Sequence, residues 1–168
     1  GSTVSQIVRL QDAGCEIVRV AVPDEASAGA IAAIKQQVAI PIIADIHFSH
    51  RLAIAAARSG ADALRINPGN IGGKRKIQEV IDCAGDHGIS IRVGVNSGSI
   101  EKELLKKHGA PTAAAMVESA MRHLDMIGSF GFDNMKVSLK ASNVGRTIEA
   151  YRLFSLKSDF PVHVGVTE

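Results

Sequence analysis

Cationic side chains recur at one position of a short repeat in this sequence. Three stretches have the order glycine, any residue, acid, any residue, apolar residue, cation, apolar residue, and they place Arg19, Arg65 and Lys136 at the cation position. A fourth stretch, one residue shorter, places Arg92 there. Fixed guanidinium and ammonium groups bind phosphate through charge-assisted hydrogen bonds. The repeat therefore predicts a site for a phosphorylated or diphosphorylated small molecule.

Other polar residues occur at the predicted ends of the same segments. Asp45 and His47 are two residues apart, which puts a carboxylate and an imidazole on one side of a strand end, suited to proton transfer or to orienting an anion. The predicted substrate-binding residues are the four repeat cations and six further polar residues: His47, Asn67, Asn70, Asn96, Ser138 and Lys140. Glu168 follows a Val-Gly-Val-Thr run, where a catalytic carboxylate is expected.

Structural interpretations of these residues stay open. A single arginine on a strand is more often paired with an acid, and the local candidates are Glu16, Asp62 and Asp133. The loop 67–73, Asn-Pro-Gly-Asn-Ile-Gly-Gly, either brings backbone N–H groups to a phosphate or merely turns the chain. His163 is predicted to be structural. Surface positions are predicted for His50, His87, His108 and His123.

The elements that must position these side chains alternate along the chain. Short β-rich runs are separated by longer helical patterns, which indicates parallel strands with right-handed crossovers. The predicted strands are 16–22, 41–46, 61–67, 89–96, 134–140 and 161–167. In an open sheet the repeat cations would lie under the covering helices, where unpaired charge is costly. In a barrel they converge at the carboxyl-terminal mouth.

The fold class predicted is therefore α/β, an incomplete TIM (β/α)8-type barrel of about six parallel strands. The chain has 168 residues, below the roughly 200 or more that a complete barrel uses. Gly1-Ser2 is interpreted as an expression-tag remnant, and residues 3–168 as a single partial-barrel domain.

Composition excludes several other classes. The chain is 46% hydrophobic and 21% charged with a net charge of +2, too small for a nucleic-acid or polybasic membrane surface. No apolar run is long enough to cross a bilayer, and no signal peptide is evident, so a cytoplasmic location is expected. Cys15 and Cys83 form no CxxC pair, which argues against a disulfide framework or a metal site, and both are predicted to be small buried residues.

Several strings in this order resemble one enzyme family. The sequence is similar to the 4-hydroxy-3-methylbut-2-enyl diphosphate synthases of the non-mevalonate isoprenoid pathway over nearly the whole chain after Gly1-Ser2. The strings are 18–20, 44–48, 64–72, 91–99, 118–123, 136–142 and 164–168, of which Asn-Pro-Gly-Asn-Ile-Gly is the most specific.

The resemblance implies a barrel that binds 2-C-methyl-D-erythritol 2,4-cyclodiphosphate. In the complete enzyme it implies a C-terminal domain with a [4Fe-4S] cluster, fed by ferredoxin or flavodoxin, that supplies two electrons. By motif match the resemblance assigns Glu168 to the barrel carboxylate near the cluster. The same match assigns diphosphate binding to Arg19, His47, Arg65, Arg92, Asn96 and Lys140.

The sequence departs from that family's full pattern. The first and last barrel strands and the cluster cysteines are expected to lie outside it, so this chain alone is predicted to be inactive. The unpaired strand edges are expected to favour a homo-oligomer, such as a dimer. Two alternatives stay open. One is a cluster-independent barrel transferase or aldolase acting on a phosphorylated or pterin-like substrate, and the other is a non-catalytic phosphate-binding or oligomerisation module.

Overall fold

The computed structural model describes residues 2–165, in which helices and strands alternate. Within that range there are five strands, and their bounds are β1 Val18–Ala21, β2 Ile42–Ile46, β3 Ala63–Ile66, β4 Ser90–Asn96 and β5 Met135–Lys140. The α-helices of the same range are α1 Ser2–Asp12, α2 Glu25–Lys35, α3 His50–Arg58, α4 Pro68–Ile71, α5 Lys74–Asp86, α6 Lys102–His108, α7 Ala113–Gly128 and α8 Val144–Ser155. A short 3₁₀ turn, Ser97–Ser99, follows β4.

The first five predicted strands are confirmed, each inside its predicted range. The strands follow one another in the sheet in chain order, and β1, β2 and β3 pair in parallel. The sixth predicted strand, 161–167, is represented among the described residues by one parallel bridge between Val137 and Val162. Pro161 has no N–H to donate to a ladder. None of the helices in the described range is long and apolar enough to cross a membrane.

Local signals explain where the helices begin and end. Side-chain oxygens of Asp24, Ser49, Thr112 and Asn143 accept hydrogen bonds from backbone N–H groups in the first turns of α2, α3, α7 and α8. Gly14, after α1, has a φ of 91°, a conformation that glycine adopts without strain. These capping residues and Gly14 therefore mark helix ends that can be read from the sequence.

The chain divides into two compact units. Among the described residues, the first unit comprises 2–66 and 71–91, and the second comprises 67–70 and 92–165. Strand β4 begins in the first unit and continues in the second.

In the first unit, one face of the sheet is apolar and the other is charged. Ile7 of α1 and Ile34 of α2 pack with Val18 and Ile42 in one hydrophobic cluster. Side chains alternate between faces along a strand, and Val18 pairs in register with Ile42. The opposite face therefore carries Arg19 of β1, Asp45 of β2 and Arg65 of β3.

In the second unit, α7 and α8 pack against each other and against β5. Phe154 of α8 and Ile127 of α7 are fully buried, as are Val137 and Leu139 of β5. Thr147 joins α8 to the end of β5, because its hydroxyl lies 3.2 Å from both the N–H and the carbonyl of Ala141. Lys136, Ser138 and Lys140 lie on the other face of β5.

Candidate anion-binding residues

Two arginines share one buried carboxylate in the first unit. Asp45 pairs in register with Arg65, so that their side chains leave the same face of the sheet. Arg65 Nη1 donates to Asp45 Oδ1 at 3.1 Å, and Arg19 Nη1 lies 3.1 Å from Asp45 Oδ2. Asp45 and Arg65 are 6% and 7% exposed, whereas the Arg19 side chain is 46% exposed. This cluster of three carries a net charge of +1, and its accessible part is Arg19.

His47 lies beside this cluster at the end of β2. Its Nε2 is 3.8 Å from Asp45 Oδ2, which is an ion-pair distance and too long for a hydrogen bond. The His47 side chain is 55% exposed and contacts the ring of Phe48, itself 71% exposed. More than half of the His47 side chain is therefore open to a ligand. When its imidazole is protonated, the ring can form an ion pair with Asp45.

The sequence suggested other acids for the repeat cations. Asp62, which precedes Arg65 by three residues, pairs instead with Lys35 at 2.6 Å and accepts the Ile42 N–H at 2.7 Å. Asp62 lies just before β3, and its carboxylate is used by Lys35 and by the backbone of Ile42. Of the candidate acids, Asp62 is therefore not the partner of Arg65, and Asp45 takes that place.

In the second unit, Asn67 holds the turn that follows it. Its Oδ1 accepts the Gly69 N–H at 3.1 Å and its Nδ2 donates to Ser99 Oγ at 2.9 Å, with Asn67 3% exposed. The Asn70 N–H donates to the Asn67 carbonyl at 2.9 Å. The N–H groups of Gly69 and Asn70 are thus used within the turn, which supports the chain-turning interpretation of this loop. The Asn70 side chain is exposed.

Asn96 ends β4 and begins the 3₁₀ turn, and it is half-buried. Its carbonyl accepts a hydrogen bond from Ser99 Oγ at 3.1 Å. The same Ser99 hydroxyl accepts from Asn67 Nδ2, so Ser99 joins the end of β4 to the 67–70 turn. The sequence pattern did not indicate Ser99 for this role.

His123 is buried, contrary to its predicted surface position. It is 8% exposed on α7, and its Nε2 lies 2.9 Å from Glu101 Oε1. Burial lowers the pKa of His123, while the nearby Glu101 carboxylate acts in the opposite direction. The signal was present in the sequence, since Met116, Ala120 and Ile127 recur at helical spacing around position 123.

The other three predicted surface histidines differ among themselves. His87 is exposed, as predicted. The half-buried rings of His50 and His108 lie 3.7 Å from Glu79 and 2.8 Å from Glu118. Spacing along one helix does not reveal such pairs, because the two partners lie on different helices.

Arg92 is buried in β4 and contacts the segment after α8. It is 4% exposed, and its Nη1 is hydrogen-bonded to the His163 ring. The Tyr151 hydroxyl donates to the His163 carbonyl at 2.6 Å and accepts the Leu139 N–H at 3.0 Å. Burial raises the pKa of Tyr151, so this hydroxyl stays protonated as a donor.

The polar face of β5 carries its three predicted residues at different depths. Lys136 is exposed, Ser138 is 3% exposed and Lys140 is half-buried. A Cβ built on Gly165 would lie 3.2 Å from Lys140 Nζ, so this ammonium group lies against the Gly165 backbone. Glu168, the predicted catalytic carboxylate, lies outside the described residues.

The cysteines do not form a cluster site. Cys15 is partly exposed and its thiol contacts the Ile17 carbonyl at 3.1 Å, whereas Cys83 is buried in α5, where burial raises the pKa of its thiol. Iron–sulfur clusters take thiolate ligands. Among residues 2–165, no group of three or more His, Cys, Asp or Glu could hold a metal ion. The described residues therefore do not fit a [4Fe-4S] cluster.

Solved structures with this fold are TIM barrels. Type I 3-dehydroquinate dehydratase from Clostridium difficile superposes with a TM-score of 0.68 at 14% identity, covering 98% of this chain and 69% of that one. A dihydropteroate synthase from the same organism gives a TM-score of 0.65 at 17% identity, over 96% and 65% of the two chains. At these identities the likeness shows the fold alone, and the class is therefore the TIM-barrel domain.

Sequence comparison assigns the chain to one family within the TIM-barrel class. The protein-family model described as "GcpE TIM-barrel domain" matches residues 1–168, and the chain belongs to this family. It is 57% identical over 167 residues to the 4-hydroxy-3-methylbut-2-en-1-yl diphosphate synthase (flavodoxin) of Acinetobacter baylyi, covering 99% of this chain and 45% of that protein. The synthase of the same name from Thermodesulfovibrio yellowstonii is 56% identical, covering 99% and 48%. The chain thus spans slightly less than half the length of these relatives, and the predicted resemblance is confirmed.

Proposed function

We propose that this chain is the substrate-binding barrel of an oxidoreductase that converts 2-C-methyl-D-erythritol 2,4-cyclodiphosphate to 4-hydroxy-3-methylbut-2-enyl diphosphate. Family membership and the names of the relatives support the reaction. The observation that carries the binding role is the charged sheet face, on which Arg19 and Arg65 share Asp45. The substrate-binding residues in this proposal are Arg19, His47 and Arg65 of the first unit, and Asn67, Asn70, Arg92, Asn96, Lys136, Ser138 and Lys140 of the second.

The chemistry of the first-unit residues fits an anionic ligand. Asp45 Oδ1 accepts a hydrogen bond from the Arg65 guanidinium, and Asp45 Oδ2 pairs with Arg19. Nearly half of the Arg19 side chain is exposed. A diphosphate oxygen approaching Arg19 gains charge-assisted hydrogen bonds from a group already oriented by Asp45. His47 adds a second donor to that anion when protonated.

This chain's part in the reaction is to bind and orient the substrate. The family implies a [4Fe-4S] cluster, which supplies the two electrons of the reduction, but the described residues do not fit its ligation. We propose Glu168 as a catalytic carboxylate on its motif match alone, and flavodoxin, which the relatives' names include, as the electron donor of the complete enzyme. The cytoplasmic location stays a prediction.

Calorimetric titration of this chain with the cyclic diphosphate, with inorganic pyrophosphate as reference, tests the proposal. We expect saturable binding that is tighter than that of pyrophosphate. Arg19→Met is expected to weaken binding about tenfold, the value of one charge-assisted bond. Arg9→Met, an exposed arginine of α1, is the matched control and leaves binding unchanged.

Two results would contradict the proposal. Failure of the folded wild-type chain to bind the cyclic diphosphate removes the binding role. Turnover of a phosphorylated or pterin-like substrate without iron or reductant would favour the cluster-independent transferase or aldolase instead. Light scattering tests the predicted homo-oligomer separately, because a monomer that binds the ligand leaves the binding role intact.

A further inference from the structure

Gly69, in the turn formed by residues 67–70, faces the buried ring of His123. A Cβ built on Gly69 would be 3.8 Å from His123 Nε2 and 3.9 Å from Cε1. A methyl group at this position would thus be in ordinary van der Waals contact with the imidazole, so the space between the Gly69 backbone and the ring is about one methyl group wide. The same Cβ would be 3.3 Å from Asn67 Oδ1. The turn therefore fits between its own asparagine and a histidine from α7.

Glu101 fixes the orientation of that ring. Its Oε1 is 2.9 Å from His123 Nε2, and in the described residues its Oε2 is buried with no hydrogen-bond partner. A neutral imidazole can donate one N–H, and the acceptor next to it determines which nitrogen carries the proton. Because burial lowers the pKa of His123, a neutral ring can donate Nε2–H to Glu101 Oε1, which leaves only Oε2 of this carboxylate without a partner among the described residues.

The turn is tied on its other side to the end of β4. Gly69 N–H donates to Asn67 Oδ1, Asn67 Nδ2 donates to Ser99 Oγ, and Ser99 Oγ donates to the Asn96 carbonyl. Two proposed ligand residues, the exposed Asn70 and the half-buried Asn96, are thus positioned by one continuous set of contacts. The His123 ring supports this set from α7, and Glu101 holds the ring.

We infer that Glu101 and His123 are positioning residues, which hold the 67–70 turn against Ser99 so that Asn70 and Asn96 are presented to the substrate diphosphate. Neither residue is proposed to touch the substrate. The inference rests on the proposed function for its ligand, and on geometry within the second unit for its mechanism.

Glu101→Ala and Glu101→Gln separate positioning from general stability. Alanine removes the acceptor of the His123 N–H, whereas glutamine keeps an oxygen at that place. We expect the alanine variant to speed amide hydrogen exchange at Gly69 about tenfold and to weaken cyclic diphosphate binding about tenfold. We expect the glutamine variant to restore both values to within about threefold of wild type. Glu103→Ala, whose side chain is 72% exposed on α6, is the matched control and changes neither value.

Gly69→Ala provides a second test that leaves the buried pair intact. Its methyl group would lie 3.3 Å from Asn67 Oδ1, which is close enough to shift the turn, and in ordinary van der Waals contact with the His123 ring. No core side chain is removed. We expect weaker cyclic diphosphate binding, with the His123 ring ¹⁵N shifts unchanged. This variant keeps the inference falsifiable if Glu101→Ala does not fold.

The outcomes distinguish the inference from the proposed function. If wild type binds the cyclic diphosphate and a folded Glu101→Ala keeps both wild-type affinity and wild-type Gly69 exchange, the positioning role is overturned while the proposed function stands. If wild type does not bind, the proposed function fails and the ligand part of the inference fails with it. Faster exchange and weaker binding in Glu101→Ala, both restored in Glu101→Gln, support the inference.

Discussion

Arg65 and Asp45 lie opposite each other in the parallel register of β2 and β3 and form a buried ion pair at 3.1 Å. Both are more than nine-tenths buried, and the second carboxylate oxygen is occupied by Arg19. Asp45 therefore both stabilises the sheet, through buried Arg65, and orients the exposed Arg19, whose positive charge is available to an anion.

Removing Asp45 is expected to destabilise the protein strongly. Asp45→Ala leaves the Arg65 guanidinium buried without its carboxylate, which costs about 3–5 kcal/mol of unfolding free energy. Urea denaturation measures this loss. The matched control is Glu79→Ala, which removes a half-exposed carboxylate that pairs with the exposed Arg75 and lies 3.7 Å from His50. Because Glu79 is half-exposed, this loss should cost less than about 1 kcal/mol. Equal losses in the two variants would contradict a buried, energetically important pair.

Arg92→Met tests the second unit's contribution to binding. Arg92 is 4% exposed on the polar face of β4, and methionine keeps much of its apolar volume without the charge. We expect affinity for the cyclic diphosphate to fall about tenfold or more by calorimetry. Arg152→Met, an exposed arginine of α8, controls for the loss of one positive charge. Unchanged affinity in a folded Arg92→Met would exclude Arg92 as a substrate contact.

Tyr151→Phe removes one hydroxyl that serves two backbone groups. The Leu139 N–H and the His163 carbonyl both lose their bond to the Tyr151 oxygen. We expect a loss of about 1–3 kcal/mol of unfolding free energy, the cost of leaving such groups unsatisfied. Hydrogen exchange should accelerate selectively at the Leu139 amide, which loses its acceptor, while the His163 amide keeps its bond to the Val137 carbonyl. Uniform acceleration across β5 would instead indicate a general loss of packing.

Acid is expected to weaken the contact between α6 and α7 at Glu118. Hydrogen bonds from Lys107, His108 and Arg122 lower the pKa of Glu118 from 4.5 to about 2. Because the folded-state pKa is the lower one, the unfolded chain takes up the proton first as pH falls. This contribution to stability is fully present above about pH 4.5 and is lost between there and about pH 2.

A ¹³C titration of the Glu118 carboxylate checks that prediction directly. In Glu118→Gln the stability difference from wild type should shrink as pH falls through the same window. A midpoint near 4.5 for this carboxylate would show that the three cations do not hold it in the folded protein.

Local patterns made much of this fold predictable. Alternation and flanking glycines located the five strands, and capping residues such as Asp24 and Thr112 located helix starts, because each acts within a few residues of itself. The partners of the charged groups were not predictable in that way. Asp45 reaches Arg65 through strand register, and His123 reaches Glu101 through the packing of α7. A single sequence gives neither arrangement.

The candidate site shows the same division. The cation positions followed from the repeat, yet Arg19 and Lys136 are exposed while Arg65 and Arg92 are buried. Sequence spacing placed all four at an equivalent height. Their accessibility depends on which neighbours cover each strand, which only the three-dimensional arrangement determines.

The Tyr151 hydroxyl makes one attachment of the last described segment dependent on α8. Val137 pairs directly with the segment after α8, through Pro161 and His163, but two residues further along β5 the link to that segment passes through a side chain of α8. The segment is therefore attached to β5 in two ways, directly at Val137 and through the Tyr151 side chain at Leu139. Displacing α8 would remove the second attachment and leave the first, the backbone pairing at Val137.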